Sequence, residues 1–333
     1  MSNLPKQLRK VTDKALLRKL EAGLARVETA LEQAVSHTDP IAKVTARHLS
    51  SAGGKRVRPT LVLLTAQFGS HPESTDVIDA SVVVELTHLA TLYHDDVMDN
   101  APMRRGVASA HEIWGNSVAI LTGDLLFARA SQVVSRLGSR ALSLQANTFE
   151  RLCLGQLHET VGPQESDDAV AHYIQVLADK TGSLIAAAAE MGIMFSGAPE
   201  EYRDAVREYG ERIGVAFQLI DDVIDLQSDT AVSGKTPGTD LLAGVPTLPT
   251  LYLREDARTD ADSAALVARI DSVTEQSLAS VVADLGKHAA TGRAYEEAKR
   301  WAANAVAALE PLPAGAAKQA MVAFAEAVIE RQH

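Results

Sequence analysis

The stretch VVVELTHLATLYHDDVMD, residues 82–99, decides the fold class. Val82, Leu86, Leu89 and Tyr93 recur at helical spacing, and Asp95, Asp96 and Asp99 close the run. Turned on a helix, Asp95 and Asp99 lie about 40° apart and Asp96 and Asp99 about 60° apart, so the carboxylates share one face. Like charges so placed oppose folding by roughly a few tenths of a kcal/mol per pair, and apolar neighbours add desolvation, so a cation is expected to offset them. Residues 217–226, FQLIDDVIDL, repeat the arrangement in Asp221, Asp222 and Asp225. One such cluster could be a solvated helix end; two, each embedded in apolar helical sequence, point to paired sites.

The same period runs through most of the chain, for example Leu16, Leu20, Leu24 and Val27, and clean strand alternation is absent. Aromatics are only 4%, too few for sandwiches or barrels, while alanine, leucine and glutamate are abundant. An all-α fold is expected, a large helical bundle. Glycine, proline and small polar residues mark breaks at Ser51 to Pro59, Gly69 to Glu73, Asn100 to Gly106, Gly162 to Asp167, Gly197 to Pro199, Ser228 to Pro249 and Glu310 to Gly315. No repeat or linker divides the chain, so residues 1–333 read as one domain, with a motif-bearing core at about 50–250 and C-terminal helices at about 260–333. The longest break, Ser228 to Pro249, is glycine-rich, holds Lys235 and Asp240, and reads as a lid.

With 333 residues and 46% hydrophobic content the chain can bury a sizeable core. Its 43 acidic against 32 basic residues give a net charge of −11, which argues against nucleic acid as a partner. A lone cysteine, Cys153, fits a reducing compartment and, in an apolar helical stretch, reads as a core residue. The amino-terminal MSNLPKQLRKVTDK lacks the apolar segment of a signal peptide, and the apolar stretch from Leu184 to Phe195 contains Glu190 and is too short to span a bilayer. A soluble, cytoplasmic protein without stable membrane insertion is expected.

All-oxygen ligands suit hard cations, and magnesium usually binds through one or two carboxylates plus substrate phosphates. The missing partner is therefore expected to be a diphosphate. Basic residues for it stand near the breaks: Lys55, Arg56 and Arg58 in GGKRVRP, Arg104 and Arg105 in MRRG, Lys180 in KTG, and Lys235 in GKTPGTD. Gly53 and Gly54 allow close backbone approach. Two other motifs fail. Gly234, Lys235 and Thr236 resemble the end of a phosphate loop, but Asp229 occupies the first glycine position; Glu85 and His88 form a Glu-x-x-His pair with no second copy for a di-iron site.

In order, GGKRVRP, ATLYHDDVMDNAPMRRG, KTG, FQLIDDVIDL and GKTPGTDLLAGVPTLP make the chain resemble the trans-isoprenyl diphosphate synthases, the polyprenyl synthetase family, from about Gly53 to Pro249. The resemblance implies a helical fold around a central cavity, usually a homodimer, with the two aspartate motifs facing across the cavity mouth. It implies that Asp95, Asp96, Asp99, Asp221, Asp222 and Asp225 hold about three magnesium ions on an allylic diphosphate. By the same resemblance Arg104, Lys180, Thr181, Gln218 and Lys235 contact that substrate, while Gly54, Lys55, Arg58, His88 and Arg105 bind isopentenyl diphosphate. His88 taken alone would read as a hydrogen-bonded core histidine.

The implied reaction is ionisation of the allylic diphosphate, attack by the isopentenyl double bond, and proton loss to the departing diphosphate. Ala90 and Thr91, one turn before Asp95, are small where short-chain members carry aromatics, so a product longer than geranylgeranyl diphosphate is expected. A geranylgeranyl diphosphate synthase is the alternative. A class I terpene cyclase would lack GGKRVRP and carry an Asn/Ser/Glu-type second motif, and a non-catalytic subunit would usually have lost one aspartate motif.

Overall fold

The computed structural model describes residues 13–36, 39–227 and 237–330, together with Leu8. Helices account for nearly all of it, as expected; among the described residues the only strands are Met103–Arg104 and Val107–Ala108. These pair antiparallel, with Arg104 opposite Val107, around a two-residue turn. Arg105 and Gly106 take φ values of 53° and 80°, the doubly left-handed turn that matches the twist of a tight hairpin.

The described chain gathers into two compact units. One draws on residues up to Glu150, on Leu184–Gly210 and on Leu309–Ala323; the other on Arg151–Ser183, Glu211–Ala308 and the chain from Phe324. Each is interrupted in sequence, so neither is a segment that could be excised.

In the first unit the helix Thr75–Met98 packs against Lys14–Ala34, Val57–Thr65 and Asn116–Val134. Ser74 starts it by accepting a hydrogen bond from the Val77 amide at 3.2 Å. Its buried residues, from Val77 through Val82, Leu86, Leu89 and Tyr93 to Asp96, fall on every face, as for a helix enclosed on all sides. Tyr93 Oη donates to the Thr45 carbonyl at 2.5 Å and accepts from the Leu49 amide at 3.2 Å, pinning the helix Pro40–Ser51 beside the acidic end. Burial raises the pKa of that phenol to about 12. The helix ends at Met98, so Asp99, which the spacing put on it, is instead the capping residue just beyond.

In the second unit, Val215, Leu219 and Val223 of the helix Tyr202–Gln227 bury against Leu248, Ala294 and Ala298. This turns Gln218, Asp221, Asp222 and Asp225 onto a half-buried stripe at i, i+3, i+4 and i+7. Three expectations are corrected in the same region. Lys180 does not flank a break: the helix Ala169–Leu177 passes through a π-helical turn, Ala178–Gly182, into Ser183–Phe195. The expected lid contains a helix, Thr239–Ala243, and the next, Leu248–Asp256, starts before Pro249; its residues 228–236, with Lys235, lie outside the described residues. Cys153 is exposed rather than core, on a face of the helix Ser139–Val161 that also shows Leu142, Phe149, Leu157 and Val161 to solvent.

The apolar stretch noted from Leu184 is not the one with membrane-like length. Asn116–Leu137 is a 22-residue helical segment whose most apolar 18-residue window has mean hydropathy 1.2 and is 39% buried. Ala119, Thr122, Gly123, Leu126 and Ala130 are buried there, leaving Ile120 and Leu121 exposed.

Candidate active site

In the first unit the GGKRVRP loop links the helices Pro40–Ser51 and Val57–Thr65. Arg56 within it is buried in a left-handed conformation, φ 46°. Its guanidinium donates from Nε to Glu28 Oε1 at 2.6 Å, from Nη1 to Glu85 Oε1 at 2.8 Å, and from Nη2 to the Ser50 carbonyl at 3.2 Å. Arg105 donates from Nη1 to the carbonyls of Leu49, at 3.1 Å, and Gly53, and its Nη2 lies 3.9 Å from Glu85 Oε1. The non-glycine residues with positive φ among those described are Arg56, Asn100 and Arg105. Such backbone costs about 1–3 kcal/mol per residue and persists where its surroundings over-determine it. Here the ion pairs and carbonyl contacts do so. Arg56, expected beside Lys55 and Arg58 as a phosphate ligand, is therefore already neutralised by two carboxylates. Glu85, dismissed as half of a di-iron motif, is the buried counter-ion beneath the basic loop.

Arg58 is different. Its Nε is buried with no hydrogen-bond acceptor. Burial pulls the guanidinium pKa down to about 10, Arg105 pushes the same way, and Glu85 and Asp95 oppose them. Burial, then Arg58, Arg105, Arg104 and Arg56, hold His88 well below the usual imidazole range, so at neutral pH it is an uncharged hydrogen-bonding group. Gly54 and Lys55 are exposed at the crest of the loop. An unmet cationic donor among clustered arginines is suited to an anion.

The first acidic trio is divided. Asp95 is half-buried and Asp99 exposed, but Asp96 is fully buried. Its Oδ1 accepts from Arg104 Nε at 2.6 Å, and its Oδ2 is buried without a partner. Asp96 was expected to be a metal ligand and Arg104 a substrate contact; in the structure the carboxylate orients the arginine and leaves the Arg104 Nη groups to point elsewhere. A rotation of about 100° per helical residue separates Asp96 from Asp95 even though it lies near Asp99 in projection. One turn back, Ala90 is buried and Thr91 half-buried, its hydroxyl donating to the His88 carbonyl at 2.8 Å.

In the second unit Asp222 Oδ2 accepts from Tyr173 Oη at 2.5 Å and from the Leu248 amide at 3.4 Å. Burial drives its pKa up to about 8; Tyr173 and Leu248 work against the rise, and Asp240 and Asp221 add to it. Asp225 Oδ2 accepts from the Gly238 amide at 3.0 Å. On the π turn, Lys180 Nζ donates to Glu159, and Thr181 follows half-buried. Such turns interrupt helices mostly at functional sites. Tyr173, Glu159 and Glu28 had no sequence signal, because each acquires its role only through a partner distant in the chain.

Among the described residues, no group of three or more histidine, cysteine, aspartate or glutamate side chains converges as a ready metal cage. The donors fit a hard cation: burial holds the Asp222 carboxyl up toward its neutral form, a cost that a bound cation would offset, and the set is all oxygen.

The sequence profile of the polyprenyl synthetase family matches residues 39–285. The chain belongs to that family. It is 42% identical over 316 residues to the nonaprenyl diphosphate synthase of Mycobacterium tuberculosis, covering 94% of this chain and 93% of that one. The crystal structure of geranylgeranyl pyrophosphate synthase from Corynebacterium glutamicum, complexed with calcium and isoprenyl diphosphate, superposes with a TM-score of 0.85 at 39% identity, covering 97% and 99% of the two chains. A decaprenyl diphosphate synthase from Rhodobacter capsulatus gives 0.85 at 32% identity, with 95% and 98% covered. This polyprenyl synthetase is thus a prenyltransferase that condenses isopentenyl diphosphate with an allylic diphosphate, and its family uses a divalent metal.

Were Asp222 to ligate the metal, its raised pKa would make that binding proton-linked. Below about pH 8 the carboxyl carries a proton that a cation must displace, so affinity rises with pH and levels off once the group is ionised. Calorimetric titration of the protein with Mg²⁺ should show affinity climbing by up to ~10-fold per pH unit from pH 6.5 toward 8. A flat profile would contradict a buried, protonated ligand.

Proposed function

We propose that this enzyme makes a long-chain all-trans polyprenyl diphosphate, with magnesium as its metal. The observation that carries the site assignment is the adjacency, within one unit, of a basic cluster and an acidic helix end: Arg58, whose buried Nε has no acceptor, is acted on by both Glu85 and Asp95. An enzyme joining two diphosphate esters needs one of them held by basic groups alone and the other by metal and carboxylates.

Isopentenyl diphosphate is assigned to Gly54, Lys55, Arg58, Arg105 and neutral His88. Asp95 and Asp99, with Asp221, Asp222 and Asp225, are the carboxylates that would hold about three Mg²⁺ ions. Bound metal supplies charge neutralisation of the allylic diphosphate as its C–O bond breaks. Arg104, steadied by Asp96, together with Lys180, Thr181, Gln218 and Lys235, binds the same phosphate oxygens and keeps the leaving group in place. The departing diphosphate then accepts the proton lost on condensation.

Product length follows from side-chain volume. Burying a five-carbon unit is worth roughly 3–4 kcal/mol at about 0.8 per methylene, so growth continues until a bulky residue blocks it. Ala90 and Thr91 offer no such block, and nonaprenyl and decaprenyl synthases are among the relatives. The Corynebacterium enzyme, at 39% identity, favours geranylgeranyl diphosphate as a second reading.

The purified protein, incubated with farnesyl diphosphate, isopentenyl diphosphate and Mg²⁺, should yield dephosphorylated products longer than geranylgeraniol. Thr91→Phe should shorten them, and Asp95→Ala or Asp225→Ala should lower turnover roughly a thousandfold without loss of helicity. Products ending at geranylgeraniol select the second reading; a cyclic hydrocarbon from farnesyl diphosphate alone overturns both.

The enzyme is further proposed to be a cytoplasmic homodimer. Ile120 and Leu121 at 41% and 66% exposure, and Leu157 and Val161 at 54% and 73%, leave apolar helical faces that a second copy would cover. Only one face of the apolar Asn116–Leu137 segment is open, which suits a partner protein better than surrounding lipid. Sedimentation should show a dimer that Leu157→Glu weakens; a monomeric wild-type enzyme refutes it.

A further inference from the structure

Three helical segments of the second unit meet at the π turn that bears Lys180 and Thr181, and one side chain joins them. Arg151, on Ser139–Val161, donates from Nε to Asp179 Oδ1 at 2.6 Å and from Nη1 to Glu211 Oε2 at 2.6 Å. Asp179 is the turn residue directly before Lys180, is itself buried, and accepts a second bond from Gln175 Nε2 at 2.8 Å. Glu211 lies on Tyr202–Gln227, the helix that carries Gln218 and the second aspartate trio two to four turns later. The backbones are drawn equally close. A Cβ on Gly155, one turn after Arg151, would lie 2.7 Å from the Lys180 amide nitrogen, and one on Gly182 would lie 3.0 Å from the Glu211 carbonyl oxygen.

A π turn has poorer hydrogen-bond geometry than the α-helix around it and persists where neighbours hold it. Relaxing it to regular helix would rotate Lys180 and Thr181 away from their present direction. An arginine with two arms on two different helices fixes both the turn and its spacing from the neighbouring helix, in a way that lysine, a single point charge, reproduces only in part. We propose that Arg151, through Asp179 and Glu211, is a positioning residue that sets the Lys180–Thr181 turn against the helix of the second aspartate trio and thereby sets affinity for the allylic diphosphate. None of the sequence motifs includes Arg151, Asp179 or Glu211. The inference rests on the assignment of Lys180 to the allylic diphosphate and not on product length.

Steady-state kinetics on the full-length enzyme separate the possibilities. Arg151→Gln and the isosteric Glu211→Gln should each raise KM for farnesyl diphosphate by ~10-fold or more, with KM for isopentenyl diphosphate within about twofold of wild type; Arg151→Lys should fall between. Combined with Lys180→Ala, Arg151→Gln should add little to the loss that Lys180→Ala causes alone, because both act through one contact. Equal changes in both KM values, or fully additive losses, would assign Arg151 a general structural role and overturn the inference. If Lys180→Ala raises the farnesyl diphosphate KM while Glu211→Gln and Arg151→Lys leave it unchanged, the inference alone fails. If Lys180→Ala itself leaves that KM unchanged, the assignment of Lys180 fails and the inference falls with it.

Discussion

Charge of one sign, gathered where water is scarce, is the constraint around which both functional regions are arranged. In the first unit Arg56, Arg58, Arg104 and Arg105 crowd around His88, and the chain supplies Glu28, Glu85 and Asp96 to offset part of that charge. The offset is incomplete, since Arg58 Nε is buried without an acceptor. In the second unit the imbalance is reversed: burial lifts the pKa of Asp222 to about 8, and Asp240 and Asp221 add to the rise. Each imbalance is one that a ligand of opposite charge would relieve, an anion at the arginine cluster and a cation at the acidic stripe.

The same constraint divides labour among residues that look alike in sequence. Arg56 and Arg58 are two positions apart, yet one is consumed by internal ion pairs that hold a left-handed backbone in place, and the other keeps a buried Nε without an acceptor. Asp95 and Asp96 are adjacent, yet one is half-buried beside Arg58 and the other is fully buried and accepts from Arg104. Binding groups are thus supported by charged neighbours of their own, which keeps them in place before substrate arrives and limits the reorganisation needed on binding.

The helical period and the glycine and proline breaks were enough to read the all-α fold and to place the second aspartate stripe on one helix face, because these depend on local geometry. What depends on distant partners was not legible. Glu28 lies 28 residues from Arg56, so nothing in GGKRVRP separates the arginine held by internal ion pairs from the one left with an unmet donor. The glycine of KTG looked like a break, but a π turn absorbs it within a continuous helical run. Cys153 was read as core because periodicity identifies an apolar face without saying whether the chain covers that face itself. Asp99 was placed on the helix because spacing does not fix where the last turn ends, and Asn100, with φ 48°, ends it there.

Calorimetric binding of farnesyl thiodiphosphate, a substrate analogue that ionises slowly, tests the central claim most directly when performed with and without Mg²⁺ on the wild type, Asp95→Ala and Asp221→Ala. The account predicts that the metal strengthens binding in the wild type by roughly a hundredfold and that either substitution removes most of that gain. Equal affinity with and without metal, or a gain that survives loss of one trio unchanged, would contradict the claim that both sets of carboxylates act on one metal-bound diphosphate.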